Sequence, residues 1–310
     1  IYNFTNVNDY LDWCTMRFSR EEILKKIIDN GFAFEPGAKG EYSNSNYVLL
    51  TFILEDVWEK TYSELINKKI AKPLGLTHTK VGDVIDVTNN ECYSYSYVSG
   101  WKKSYATDMS VPLGAGAIIS TPTDLNKFSW ALFSGEIISE ESLASVKEMK
   151  DNFGRGLFQY PYKTKVAYGH TGGIDSFSSM FGCIEVDGLS IALTSNGNRY
   201  SNNKIMIAAL SAYYGDVVDV PVFEDVVYSE EELNAFLGKY DSEEIPLPIE
   251  VVLEGDELKA QAQGQASFPL SMVKRNVFSF DTAGIVMEFD PRAGTFVLRQ
   301  GGGKYLYKKK

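Results

Sequence analysis

Two apolar segments, Ser178 to Val186 and Leu189 to Ser195, flank Asp187-Gly188. Asp-Gly takes the left-handed backbone of a two-residue hairpin turn at little cost, so it is a strong short-range hairpin signal. With Val166 to His170 as a third strand candidate, it commits residues 166–196 to an antiparallel sheet. Helix signals surround this sheet. Ser19-x-x-Glu22 and Thr61-x-x-Glu64 read as capping boxes, the first opening a helix that Gly31 closes and the second a helix through Leu65 and Ile70. Thr121-Pro122 with Asp124 predicts another helix start, ended by Gly135, and a further helix is expected over about 203–214. The fold class that follows is α+β, an antiparallel sheet flanked by helices.

After about residue 221 the pattern changes. A short helix from Glu230 to Leu237 precedes short strands separated by turn signals at Glu254-Gly255-Asp256, Asp290 to Gly294 and Gly301 to Gly303. This spacing predicts a small all-β barrel. The expected domains are residues 1–221 and 222–310. The 310 residues suit one large domain with a small one, and 44% hydrophobic residues, 13% of all residues being aromatic, supply a sizeable core.

A net charge of −11 without any basic stripe excludes a nucleic-acid partner. No apolar run reaches the roughly 18 residues of a membrane span. Ile1 opens an ordinary polar-apolar stretch without an initiator Met, so the chain is expected to be trimmed, and the lack of a signal peptide in it does not argue for the cytoplasm. The three cysteines, Cys14, Cys92 and Cys183, form no metal spacing and are expected as reduced or buried thiols, with one disulfide plus a free thiol still open. With only His78 and His170, a His-rich metal site is not expected, and no cofactor is implied.

Two stretches carry chemistry. Tyr42-Ser43-Asn44 stands at the mouth of a helix expected to bury Val48, Leu49, Phe52 and Ile53. A tyrosine there can relay a proton if a cation lowers its pKa, and an asparagine offers a donor and an acceptor to a substrate amide. The same residues also suit a plain turn rich in capping side chains. Tyr168-Gly169-His170-Thr171-Gly172-Gly173 sets an imidazole, a hydroxyl and glycine N–H groups on a strand edge. Such an edge binds an extended acyl chain and supplies an oxyanion donor, and a glycine-bearing β-bulge is the alternative. No G-x-S-x-G elbow, HExxH or P-loop is present.

In this order the stretches resemble the serine β-lactamase and penicillin-binding-protein superfamily, of the class C and DD-peptidase type. Tyr42-Ser43-Asn44 is similar to its Y-x-N box, and His170-Thr171-Gly172 to its K-T-G box with histidine for lysine. Lys72 to Thr79 resembles the "PLGLxxT" connection, and Gly114 to Thr121 the "AGGLxST" entry to the next helix. The resemblance covers about residues 1–215. Residues after 230 are similar, less closely, to the lipocalin-like barrel many of these hydrolases carry.

The family's S-x-x-K box has no counterpart before Tyr42. Ser99 to Lys102, Ser201 to Lys204 and Ser271 to Lys274 fit its letters but follow Tyr42, in the wrong order. Ile1 to Phe4 resembles text that follows the box in the family, so the nucleophile is expected upstream. The resemblance implies a serine hydrolase working through an acyl-enzyme on a D-amino-acid peptide, a β-lactam or a small ester. Tyr42 and His170 would act in catalysis. Asn44, Thr171, Gly172 and Gly173 would bind substrate, with the Gly173 N–H in the oxyanion hole. It implies a small-molecule or peptide partner and an extracytoplasmic location, and leaves the oligomeric state open. An inactive module that binds muropeptides is the alternative, and a ligand-binding barrel a third. An unperturbed histidine titrates near pH 6.5, so carboxylate binding is expected to weaken as pH rises through neutrality. Tyr93, Tyr95, Tyr97, Trp101 and Tyr105 suit either an aromatic groove or a packed surface loop.

Overall fold

The computed structural model describes the chain except residues 98–99, 152, 199, 219–225, 227, 255–256, 264–266, 281–284 and 301–302. Two compact units emerge: Ile1–Tyr95 with Lys103–Gly197, and Ser96–Lys102 with Asn198–Lys310. The expected boundary between residues 221 and 222 falls outside the described residues.

In the first unit, helices α1 (Tyr10–Trp13), α2 (Arg20–Asn30), α3 (Asn44–Trp58) and α4 (Tyr62–Ile66) come first. Both capping boxes form as predicted. Ser19 accepts from the Glu22 N–H and Thr61 from the Glu64 N–H, and each glutamate returns a bond to its cap. α4 stops earlier than expected and passes into a wider π turn, Asn67–Ala71. Phe4, Trp13, Ile23, Ile27, Val48, Phe52 and Val111 form this core. Val48 and Phe52 are buried as predicted, but Ile53 is not: it is 56% exposed, as are much of Leu50, Leu54 and Val57 on the opposite flank of α3.

Two short antiparallel strands, β1 (Lys80–Val81) and β4 (Ile118–Ile119), bring together the two connecting phrases at 72–79 and 114–121. The buried Asp124 completes that junction. It lies in the first turn of α5 (Pro122–Phe133) and accepts from the His78 N–H (2.8 Å) and the Thr79 hydroxyl (3.0 Å). Strands β2 (Tyr95–Tyr97) and β3 (Trp101–Lys103) form a small ribbon, and α6 (Glu140–Lys147) follows α5.

The main sheet is antiparallel in the order β5-β6-β7-β8: β5 (Phe158–Tyr162), β6 (Lys165–Ile174), β7 (Phe177–Ile184) and β8 (Leu189–Ser195). The predicted hairpin forms, but not through a two-residue turn: the ladder closes at the Ile184–Leu189 pair, and Glu185 to Gly188, Val186 included, make a 3-10 turn that ends at Gly188, left-handed at φ 59°. β6 runs four residues further than predicted, and β5 was not predicted at all.

In the second unit, α7 (Asn202–Tyr213) and α8 (Glu230–Asn234) accompany strands β9 (Gly238–Asp241), β10 (Ile249–Glu254), β11 (Glu257–Ala262), β12 (Phe268–Pro269), β13 (Ser271–Lys274), β14 (Val277–Phe280), β15 (Ile285–Asp290), β16 (Thr295–Gln300) and β17 (Gly303–Lys309). They make a nine-stranded antiparallel sheet in the order β12-β11-β10-β9-β17-β16-β15-β14-β13. Its two edge strands are consecutive in the chain, separated by Leu270 alone, so the sheet nearly closes as a barrel.

Side chains fill the barrel. Phe296 stacks on Tyr307 at 4.8 Å between ring centroids, Tyr240 lies 4.9 Å from Phe296, and Met287 and Phe236 are fully buried beside them. The buried Tyr240 hydroxyl donates to the Phe236 carbonyl (2.8 Å), so the core holds no orphaned phenol there. This packing argues against the barrel as a container for an apolar ligand. Among the described residues no helix is long and apolar enough to cross a membrane, and all three cysteines are free thiols, Cys14 and Cys183 buried and Cys92 exposed.

Candidate functional site

The site begins at the N-terminus of α3, where four backbone N–H groups need partners from outside the helix. Ser43 holds the cap position with extended backbone, yet its hydroxyl makes no cap bond; it is buried and has no partner among the described residues. A residue 41 positions before Asn44 does the capping. The Asn3 carboxamide oxygen accepts from the Asn44 N–H at 3.1 Å. Ser45 ties the same segment down, donating to the Tyr2 carbonyl (2.7 Å) and accepting from the Phe4 N–H (2.9 Å). The buried Phe4 ring then locks the segment into the core. Asn3→Ala is expected to cost about 1 kcal/mol, the usual value of a lost cap, read from the shift in urea midpoint; an unchanged midpoint would show that the long-range cap contributes nothing.

This arrangement fixes Tyr42 and Asn44 on either side of Ser43. The Asn44 side-chain amide donates to the Thr5 hydroxyl at 3.1 Å, and that hydroxyl donates to Asn3 at 3.0 Å. Asn44 is therefore oriented by the N-terminal segment, with its carboxamide oxygen the group left to meet a ligand N–H. Tyr42 is 42% exposed, and partial burial raises its phenol above the ordinary value of 10.0. The cation that would lower it is not among the groups acting on it, so Tyr42 stays protonated at neutral pH.

His170 arrives from β6. Its ring lies 6.2 Å from that of Tyr42 between centroids. Phe158 of β5 joins them, 4.6 Å from His170 and stacked on Tyr42 at 6.3 Å with 18° between planes. A phenol and an imidazole from distant parts of the chain thus share one aromatic cluster. Asn44 stands two residues from Tyr42, turned towards Thr5.

The His170 Nδ1 pairs with the Thr171 carbonyl. A carbonyl only accepts, so Nδ1 carries the hydrogen and Nε2 is the nitrogen that gains or loses a proton. Burial lowers the His170 pKa below its ordinary 6.5, opposed in part by that backbone bond. The expected titration through neutrality is corrected on this point: the packing of Phe158 and its neighbours desolvates the imidazolium, and the window moves to lower pH.

Strand pairing gives the rest. β5 covers β6 only as far as the Phe158–Gly169 pair, while β7 pairs with β6 through Ile174. From His170 to Gly173 one edge of β6 lacks a β5 partner, and Thr171, Gly172 and Gly173 are exposed. An open edge offers backbone N–H and C=O groups to an extended ligand. The Thr171 hydroxyl is hydrogen-bonded to Tyr160, whose phenol burial raises. No cluster of three or more metal-binding side chains occurs among the described residues.

The sequence reading missed Phe158, Asn3 and Thr5. Phe158-Gln159-Tyr160-Pro161-Tyr162 does alternate with period two, but Pro161 argues against a strand unless that strand is an edge, which β5 is. Asn3 caps the helix across 41 residues and Thr5 meets the Asn44 side chain across 39, distances at which spacing carries no signal.

A family model described as Beta-lactamase matches residues 2–212. Penicillin-binding protein 4* of Bacillus subtilis is 23% identical over 340 residues, 96% of this chain and 74% of that protein. Teichoic acid D-alanine hydrolase of Staphylococcus aureus is 26% identical over 179 residues, 56% of this chain and 43% of that one. Among solved structures, the D-amino acid amidase of Ochrobactrum anthropi SV3, complexed with L-phenylalanine amide, is 27% identical with a TM-score of 0.54, over 61% of this chain and 60% of that chain. The chain spans less than two thirds of the last two.

Proposed function

Because the chain belongs to the beta-lactamase family, we propose that it is the greater part of a serine hydrolase that cleaves an amide or ester through an acyl-enzyme. The observation that carries the reading is the convergence of Tyr42 and His170 beside the open edge of β6.

The chemistry follows from those parts. A serine Oγ attacks the substrate carbonyl and its proton passes to a base. The carbonyl electrons move onto oxygen, where the Gly173 N–H stabilises the oxyanion. Collapse expels the amine or alcohol, which takes up the proton; water then releases the acid and regenerates the serine. Tyr42, protonated at neutral pH, suits delivery of that proton to the leaving group, and a lysine beside it would lower its pKa enough to let it return as a base. Asn44 receives a substrate N–H on its carboxamide oxygen, and His170 with Thr171 meets the substrate's polar end.

The reading asks for a nucleophile with a basic partner, which we assign to sequence outside these 310 residues. Ser201 spends its hydroxyl capping α7, Ser271 and Lys274 lie on β13 of the barrel, and Ser99 lies outside the described residues. The substrate class we favour is a D-aminoacyl amide or ester. Support comes from relatives whose names include a D-alanine hydrolase and a D-amino acid amidase.

The test compares the longest natural product of the gene with this chain, using a fluorescent penicillin and a chromogenic D-aminoacyl ester. The long form is expected to be labelled and active, with Tyr42→Phe slowing acylation about 100-fold, as befits loss of a proton-transfer group. Saturable binding without acylation by the long form would favour the muropeptide-binding module instead. Neither labelling nor turnover by the long form would sink the hydrolase.

A further inference from the structure

The turn that ends the site strand is held in an unfavourable shape. Asp175 and Ser176 join β6 to β7 with φ of 61° and 129°, in the left-handed half of backbone space that glycine occupies freely and L side chains resist. Backbone strain of this kind persists only where surrounding contacts over-determine it.

Those contacts are on the far side of the chain. Asp175 takes two hydrogen bonds from one residue, from the Thr107 N–H at 2.7 Å and the Thr107 hydroxyl at 2.6 Å. Ser104 donates to the Ser176 hydroxyl at 2.8 Å. The loop carrying both partners is itself anchored: the Ser104 N–H donates to the Ser94 carbonyl and the Asp108 N–H to the Cys14 carbonyl, each at 2.9 Å. Thr107 is buried, and its hydroxyl is also hydrogen-bonded to the side chains of Tyr10 and Cys14. Three segments far apart in sequence therefore meet at one threonine, and the β6–β7 turn is pinned to that meeting point.

The clamp closes two residues beyond Gly173. On its own side, β6 has lost β5 by then, so its open edge has one neighbour, β7, and one fixed end, the turn. We propose that Asp175 is a positioning residue: by pinning the β6–β7 turn to Thr107, its carboxylate holds the open edge of β6, and the Gly173 N–H with it, in register for the acyl transfer. The assignment rests on the hydrolase reading above. It makes no contact between Asp175 and the substrate; Asp175 acts through the strand.

Glycine is the informative substitution, because it removes the clamp and relieves the left-handed backbone together. If Asp175 served stability alone, Asp175→Gly would leave kcat at the wild-type value. The experiment uses the longest natural product of the gene with D-alanine p-nitroanilide as substrate. The expected result is a melting midpoint within about 3 °C of wild type, a kcat lower by about tenfold or more, and a KM within about threefold. Thr107→Val is expected to reproduce the kcat loss and Thr107→Ser, which keeps both donors, to restore it. In this 310-residue chain, amide exchange between Thr171 and Asp175 is expected to rise about tenfold in Asp175→Gly, with Ala167 on the same strand unchanged. A wild-type kcat and unchanged exchange in Asp175→Gly would overturn the assignment. A wild-type protein without turnover defeats the hydrolase reading instead, and the exchange measurement then decides whether the clamp holds the edge.

Discussion

Gly169→Ala is expected to unfold the sheet that carries His170, whereas Gly173→Ala four residues along the same strand is expected to be tolerated. A Cβ on Gly169 would sit 1.9 Å from the Phe181 carbonyl oxygen and 2.8 Å from the Gly182 Cα. Both are backbone atoms of β7, and neither can withdraw without opening the β6–β7 ladder that runs from Tyr168 to Ile174. Moving a strand apart breaks several hydrogen bonds at once and exposes the core behind it. The cost therefore belongs with the large, diagnostic class of substitutions, above about 4 kcal/mol. A Cβ on Gly173 meets nothing within 4 Å, and its substitution is expected to stay within about 1 kcal/mol. Urea denaturation of the two variants separates the cases. A Gly169→Ala protein with the wild-type midpoint would show that β6 and β7 do not approach as closely as described. On the other side of β6, Phe158 of β5 pairs with Gly169, and its ring lies 4.6 Å from that of the next residue, His170.

How much of this was readable beforehand depends on the range of each interaction. Ser19, Thr61 and Thr121 were legible as caps because the bond each makes spans three residues. Asp187-Gly188 was legible because turn chemistry is local. Ser43 occupies the cap position of α3 without making such a bond, since Asn3 arrives from 41 residues before Asn44 and takes its N–H. The buried face of α3 was half legible. Val48-Leu49-Leu50 and Phe52-Ile53-Leu54 are apolar on nearly every side, so period alone could not choose which residues meet Phe4, Ile23 and Ile27. The structure buries Val48 and Phe52 and exposes Ile53. Of the site, Tyr42, Asn44 and His170 were singled out by their order along the chain, but Phe158, which joins two of the three, sits in a segment where Pro161 obscures the strand. Composition could not reveal the protonation behaviour of His170 either, because that depends on the desolvation this packing imposes.

The pH dependence of carboxylate binding is the second large effect expected. Burial holds the folded-state His170 below its ordinary 6.5, so the imidazole is neutral at pH 7 and gains its proton only in more acidic solution. A substrate α-carboxylate ionises at about 3.3–3.7. Between these limits both partners are charged and their hydrogen bond is charge-assisted, worth about 1.5–3 kcal/mol. Affinity for a carboxylate ligand is therefore expected to fall about 10- to 100-fold as pH rises through the window below 6.5, and to be flat from neutrality upward. The sign for the fold runs the other way. A depressed histidine pKa leaves stability complete above the unfolded value of 6.5 and loses it as pH falls, because the unfolded chain binds the proton more readily. Ligand and proton thus act together: a bound carboxylate should raise the His170 pKa and draw a proton into the site. His170→Lys keeps a cation across the whole range and is expected to bind the same ligand with nearly constant affinity from pH 5 to pH 8. Isothermal titration of both proteins in buffers of different ionisation enthalpy measures affinity and proton uptake together. A wild-type profile already flat below pH 6.5, or a lysine variant that keeps the wild-type slope, would remove His170 from carboxylate recognition.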